Sequence, residues 1–322
     1  MGSTGSVFLE FDPEHSLIAK GKLLRDGLSV VVQVGNALWL ANDETASLER
    51  LTLAGPGTPG AGLHAGGHRQ FPLEHYLDLP APPTPEAAKP EEVDVEGLAW
   101  DQGYLWLVGS HSLKRKRPSA KGGTEKALRQ LARVSSDPNR YLLARIPLVA
   151  EAGGHVLARR DAASGRVAGQ LRGDGRGNDL TRALRQDEHL APFLAIPGKD
   201  NGFDIEGLAV LGKRLFLGLR GPVLRGWAVI LEVEPRDAAG NPSVLELVDI
   251  GPAGRPYRKH FIDLDGLGIR DLCVQGSDLL ILAGPTMDLD GPVAVFRWRG
   301  GARPDAETLV EAGHLERLLE VR

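Results

Sequence analysis

Val93-Asp-Val-Glu-Gly-Leu-Ala-Trp100 and Phe203-Asp-Ile-Glu-Gly-Leu-Ala-Val210 are one motif written twice. Each is followed by a short turn and a second apolar run, Tyr104-Leu-Trp-Leu-Val-Gly-Ser110 and Arg214-Leu-Phe-Leu-Gly-Leu-Arg220. Two further segments align with them. Ser29-Val-Val-Val32 leads to Ala37-Leu-Trp-Leu-Ala-Asn-Asp43, and Arg270-Asp-Leu-Cys-Val274 leads to Asp278-Leu-Leu-Ile-Leu-Ala-Gly284. The step from first core residue to second is the same seven residues in all four: Val31 to Leu38, Leu98 to Leu105, Leu208 to Leu215 and Leu272 to Leu279. The linking residues, Gly35-Asn36, Asp101-Gln-Gly103, Gly212-Lys213 and Gly276-Ser277, are turn formers, so each segment reads as a β-hairpin.

Each hairpin is followed by another strand-like run, at 47–53, 140–148, 227–233 and 292–298. A meander of short strands repeated around an axis is the sequence signature of a propeller. The expected fold is therefore all-β: a β-propeller of five to six blades with two short inserted helices, built as one domain over residues 1–322. The interval from 96 to 206 has room for one degenerate blade beyond the four aligned ones. Val7-Phe-Leu-Glu-Phe11 and Leu315–Val321 are candidate closing strands whose pairing would remove exposed edges. Residues 124–134 and 178–190 read as the inserted helices, the second capped by Asn178 or Asp179. Residues 54–72 and 78–92 read as Pro/Gly-rich loops.

Composition narrows the setting. Hydrophobic residues make up 42% and charged residues 25% of the chain, enough for a sizeable core. With 38 Lys and Arg against 42 Asp and Glu, the formal charge is −4, which gives no global pull toward nucleic acid or an anionic membrane. No apolar run reaches the length that spans a bilayer. The start of the chain does not read as a signal peptide, and the single Cys273 forms no intrachain disulfide, so a cytoplasmic location is expected. Cys273 reads as a core residue. Nucleotide loops, zincin helices and nucleophile elbows have no counterpart in the sequence.

Hairpin geometry selects the candidate site. The start of strand one and the end of strand two lie at the same end of a hairpin, and in a propeller those ends converge on the central channel. This places Ser29, Asp94, Glu96, Asp204, Glu206, Arg270 and Asp271 at one rim with Asn42, Asp43, Ser110, His111, Arg220, Thr286 and Asp288. Glu96 and Glu206 hold the same repeat position, and two carboxylates aimed at one axis repel unless a cation lies between them. Two answers are open. A Ca²⁺ or other divalent cation takes oxygen ligands; or Arg270, at the aligned position of the fourth repeat, neutralises the glutamates in a structural ion-pair ring. Gly97 and Gly207 would let inner strands pack closely. His111-Ser-Leu-Lys-Arg-Lys-Arg117 adds a local run of cations, read either as an anion-attracting loop or as a solvated insertion.

Asn201-Gly-Phe-Asp-Ile-Glu-Gly-Leu-Ala209, Gly218-Leu-Arg-Gly-Pro222 and Gly268-Ile-Arg-Asp-Leu272 resemble motifs of a bacterial family of unknown function, over nearly the whole chain. More remotely, Asp204-x-Glu-Gly-Leu-Ala and Glu96-Gly-Leu-Ala-Trp resemble segments of phytase-like esterase propellers and of gluconolactonase (senescence marker) propellers. In the latter a Glu-Gly-Pro-x-Trp segment supplies a glutamate to a central divalent metal. Glu96, Gly97 and Trp100 match it with Leu98 in place of proline, and Glu206 matches the Glu-Gly part.

Two functions are expected from this. The first is a divalent-metal-dependent hydrolase of a small phosphoester, ester or lactone, with Glu96 and Glu206 as metal ligands. His111 would be its general base, with Asp43 and Asp271 in reserve. Asn42, Arg220, Arg270, Lys114 and Arg115 would bind an anionic substrate. The second is a non-catalytic propeller that binds a small anionic ligand or a protein partner through the same rim. Neither calls for a nucleotide cofactor, a membrane or a nucleic acid.

Overall fold

The computed structural model describes residues 6–321 apart from 20, 55–62, 83–90, 152–153 and 288–289. The chain is mostly β, in four principal sheets, each built on a four-stranded antiparallel meander. The first meander runs Leu28–Val34, Ala37–Asn42, Ser47–Leu53 and Leu63–Pro72. The second uses Val95–Asp101, Tyr104–Gly109, Leu143–Glu151 and Gly169–Leu171. Asp204–Leu211, Arg214–Gly221, Trp227–Val233 and Arg258–Asp263 make the third. Gly268–Gln275, Asp278–Gly284, Val293–Trp298 and Leu315–Val321 make the fourth.

All four hairpins share one register. Val31 faces Leu40, Leu98 faces Leu107, Leu208 faces Leu217 and Leu272 faces Ile281. Their turns need the left-handed backbone that glycine tolerates, as at Gly212 with φ 62°. The inner strands stand side by side in order, first on second, second on third, third on fourth. Close approach there requires glycine. A Cβ on Gly97 would sit 2.6 Å from Leu208 Cβ, and one on Gly207 would sit 2.9 Å from Leu272 Cγ.

Three apolar layers fill the three seams. Val30, Leu98 and Leu107 belong to the first layer, Leu143, Leu208 and Leu217 to the second, and Phe216, Leu272 and Ile281 to the third. Each such side chain contributes about 1.5–3 kcal/mol by leaving water. Trp39, Trp106 and Phe216 are buried in these layers and present no ligand platform. The open face of the first sheet carries only a small satellite cluster, Leu38, Leu40, Leu51 and Ala65. The four sheets thus form a propeller-like arc, and a cleft of about 810 Å³ lies between the first and the fourth.

Several expectations change. The 96–206 interval holds no fifth meander. It holds the outer strands of the second sheet, the helices α1 (Gly123–Ala132) and α2 (Asp179–Leu184), and a ribbon of Lys114–Arg115 with Val134–Ser135. Among the described residues four meanders are present where five or six were expected. The termini do not share a blade: Val7–Leu9 pairs with Leu63–Ala65 in the first sheet, and Leu315–Val321 pairs with Val293–Trp298 in the fourth. Part of the expected loop 54–72 is the strand Leu63–Pro72. Cys273 is exposed rather than in the core, because it points from the inner strand of the fourth sheet away from the third. The inserted helices are where the sequence places them, α2 capped by Asn178, whose side chain accepts from the Thr181 amide; α2 ends at Leu184, short of the expected 190.

Candidate functional site

The four aligned rim residues share a structural cause. In every hairpin the strand register slips at the same place, between Leu28 and Val30, Val95 and Gly97, Ile205 and Gly207, and Ile269 and Asp271. The residues left over are Ser29, Glu96, Glu206 and Arg270. A bulge leaves its extra residue unpaired and re-aims its side chain. Here it directs one residue from each inner strand toward the axis. Ser29 Oγ donates to the Val95 carbonyl at 2.6 Å, stitching the first sheet to the second.

Glu206 is gripped by two arginines. Arg220 Nη1 lies 2.8 Å from Glu206 Oε1, and Arg270 Nε lies 2.8 Å from Glu206 Oε2. Both oxygens therefore face guanidinium groups, as in the ion-pair reading of the motif. Among the described residues no group of three or more His, Cys, Asp or Glu side chains is arranged to hold a metal. Of the expected pair, Glu206 is held by two arginines and Glu96 by none. Arg220 is itself fixed, donating from Nε to the Thr286 carbonyl at 2.7 Å and from Nη2 to that of Met287 at 3.3 Å. It is a strut more than a ligand contact. Residues 173–178 form a small hairpin, with Asp174 held by the Arg176 amide and Arg182.

Glu96 is the opposite case. Its carboxyl has no hydrogen-bond or ion-pair partner among the described residues, and it lines the main cleft. Burial first, then the charges of Asp94, Glu206, Asp204 and Asp43, push it well above the usual carboxylate range, which favours its protonated form. Asp204 is also pushed well up, by burial and by Glu206 and Asp94. Burial raises Asp94 to about 6 although Arg140 Nη1 sits 3.0 Å away. Asp43 is raised by burial and by Glu44 and Glu92, and its Oδ1 is buried without a partner. Asp271 is raised to about 6 by burial, against one hydrogen bond from the Leu272 amide.

Asp43, Glu96, Glu206, Arg220, Arg270 and Asp271 all line the 810 Å³ cleft, as the hairpin geometry requires. The remaining candidates do not. His111 is buried beside Asn178. Its Nδ1 lies 2.7 Å from the Gly109 carbonyl, and its Nε2 lies 2.7 Å from Asn178 Nδ2. The Asn178 amide donates, so Nε2 accepts and Nδ1 carries the proton. Burial drives this imidazole down to about 4. Both nitrogens are occupied, which removes His111 as a general base. Asn42 spends its side chain on its own turn, donating to the Leu24 carbonyl and accepting from the Glu44 amide. Lys114 and Arg115 line a smaller cavity of about 250 Å³, but each is already paired, Lys114 with Glu92 and Asp137, Arg115 with Asp200. The run of cations is a charge-compensated ribbon at its start.

Two further cations reach the rim, Arg117 from the run at 114–117 and Lys199 from outside any motif. Lys199 and Arg117 have no hydrogen-bond or ion-pair partner among the described residues. With Arg220 and Arg270 they line a cavity of about 560 Å³, and Lys199 also lines the main cleft. Lys199 sits in the turn Pro197-Gly-Lys-Asp-Asn-Gly202, which enters the inner strand of the third sheet at the bulge end. That loop position was the available signal. Arg117 belongs to the cation run. Arg140, which bridges Glu92 and Asp94, follows a Pro-Asn turn and has no repeat counterpart to mark it.

The fold and site define a propeller-like, mostly β protein with a charged cleft at the strand ends of its axis. The chain belongs to the family described as "Protein of unknown function (DUF3616)", which matches residues 27–322. Among solved structures, apo AztD from Citrobacter koseri is similar at 11% identity and a TM-score of 0.25, over 84% of this chain and 58% of that chain. This chain thus spans less than two thirds of that protein's length. No curated protein matches the sequence. Among the described residues no helix is long and apolar enough to cross a membrane.

Proposed function

We propose that the cleft is the site of a hydrolase for a small anionic ester, lactone or phosphoester, working by side-chain acid–base chemistry. One observation carries this: an unpartnered carboxyl, Glu96, and an unpartnered cation, Lys199, line the same cleft. Lys199 and the free edge of Arg270 would anchor the anionic group. Glu96, kept protonated by its surroundings, would donate its proton to the departing oxygen. Asp271, ionised at neutral pH, would take a proton from the attacking water. The pairing of a neutral carboxyl with an ionised one is the arrangement such chemistry needs.

The test is turnover of p-nitrophenyl phosphate, p-nitrophenyl acetate and a γ-lactone by the wild type and by Glu96→Gln. Hydrolysis of any of them that the substitution lowers by about a hundredfold or more supports the reading. The arginine grip on Glu206 favours a second reading, a binding scaffold without catalysis. Saturable binding of inorganic phosphate with no turnover of the three probes would select it.

A further inference from the structure

The cleft is apolar away from its charged end. Val7, Leu9, Leu28, Val31, Leu38 and Leu282 line it together with Lys199 and Arg270. The repeat shows how unusual this is. Leu98, Leu208 and Leu272 hold one repeat position in three sheets and are 4%, 0% and 4% exposed. Val31 holds the same position in the first sheet and is 54% exposed; Leu282, across the cleft, is 36% exposed. The glycine of the second and third inner strands, Gly97 and Gly207, is replaced in the fourth by Asp271. The inner strands of the first and fourth sheets do not stand side by side as the other neighbours do. This seam is thus built with an apolar wall on either side and cations at one end.

We infer that the ligand of this cleft is an amphipathic anion, a carboxylate or phosphate carrying an alkyl or acyl chain. Its head would meet Lys199 and Arg270, and its chain would lie between Val31 and Leu282. This rests on the anionic-substrate reading above and adds the substrate class. The head of the ligand is directed to the end where Lys199 and Arg270 lie, beside the carboxyls of Asp43, Glu96, Glu206 and Asp271. A cleft of about 810 Å³ falls within the range of small-molecule pockets. Covering an exposed valine and leucine with a chain restores what the neighbouring sheet does at the other three seams.

The experiment is calorimetric titration with acetate, hexanoate and decanoate, each below its micelle concentration. Affinity should rise about three- to fourfold for each methylene buried. Val31→Gln and Leu282→Gln should flatten that dependence while acetate binding is kept. Both side chains are partly exposed already, and circular dichroism with a thermal melt checks each fold. Lys199→Ala should weaken all three acids by a similar factor. A flat chain-length series with acetate binding intact overturns the amphipathic ligand and leaves the anion site standing. Failure of all three acids and of inorganic phosphate overturns both. Sedimentation that shows a dimer through this seam, undisturbed by decanoate, gives the apolar walls to a second copy and also overturns the inference.

Discussion

Arg270 Nε lies 2.8 Å from Glu206 Oε2, and this contact joins the bulge of the fourth sheet to the bulge of the third. The glutamate is almost fully buried, whereas the arginine side chain is 36% exposed. The two partners therefore answer differently to removal. Glu206→Gln leaves Arg220 facing a neutral amide in a buried site, which costs about 3–5 kcal/mol. Arg270→Ala leaves Glu206 still held by Arg220 and exposes little new charge, so it costs about 1 kcal/mol. Urea unfolding of the two variants checks the order. An arginine variant that is the weaker of the two would show that the strength of the grip lies elsewhere.

Glu96→Gln should do the reverse of Glu206→Gln. The two residues share a repeat position and a bulge, but Glu96 has carboxylates where Glu206 has arginines. An amide there relieves repulsion and needs no proton. We expect a gain of about 1 kcal/mol at neutral pH and a Tm higher by a few degrees. Gain in stability with loss of turnover marks a site residue rather than a scaffold residue. A melt that falls below the wild type would mean that Glu96 is held by contacts the geometry does not show.

The same carboxyls set the dependence on pH. Asp94 is raised to about 6 by burial, against Arg140 and Ser110; Asp271 is raised to about 6 by burial, against the Leu272 amide. In the unfolded chain both titrate near about 4. Between those values the native state holds protons that the unfolded chain has released. Stability therefore falls as pH rises through this window, by about 3 kcal/mol for fully buried Asp94. Asp187 opposes at low pH. Burial alone would raise it, but Lys259, Tyr257 and the amides of His189 and Leu190 bring it down to about 2. Its contribution is present above about 4 and is lost as pH falls toward 2. Thermal melts should peak at about pH 4 and have declined by about pH 7. A melt that rises steadily to neutral pH would contradict the protonated cluster.

The repeat was legible because a hairpin reads locally. The step from Leu98 to Leu105 is set by a turn and two alternating runs, and the structure repeats it in all four sheets. The alignment of Ser29, Glu96, Glu206 and Arg270 was legible for the same reason, because each hairpin carries its bulge at one offset. What bound to each of them was not. Arg220 reaches Glu206 along one hairpin, but Arg270 comes from the next sheet and Lys199 from a loop without a repeat. The number of meanders was not legible where an insertion stretched the second one over the 96–206 interval. Spacing measures chain length, and length does not tell a blade from a helix and a ribbon.

His111 separates a structural imidazole from a catalytic one. Its Nε2 accepts from Asn178, and its Nδ1–H donates to Gly109, so its loss leaves buried groups unpaired. His111→Phe should cost about 1–3 kcal/mol in urea unfolding. In a double-mutant cycle Asn178→Ala should add less than its single effect, because the two share one bond. Binding of phosphate and decanoate should be unchanged in any variant that remains folded. A pH–rate profile that loses a limb in His111→Phe would return the residue to the chemistry.

Lys199 and Lys114 make the sharpest pair for the anion. Both are lysines at the same rim, but Lys114 is held by Glu92 and Asp137 whereas Lys199 has no partner among the described residues. Lys199→Ala breaks nothing in the native state and should move stability by no more than about 0.5 kcal/mol. It should weaken phosphate binding by about tenfold at low salt, and the difference should shrink as salt screens the cleft. Lys114→Ala should do the opposite, freeing two carboxylates at the small cavity and lowering Tm. Its effect on phosphate should be the smaller of the two, because its charge is already compensated. Equal losses of affinity in the two variants would place the anion nearer the ribbon than the seam, and the head of the ligand would have to be moved there.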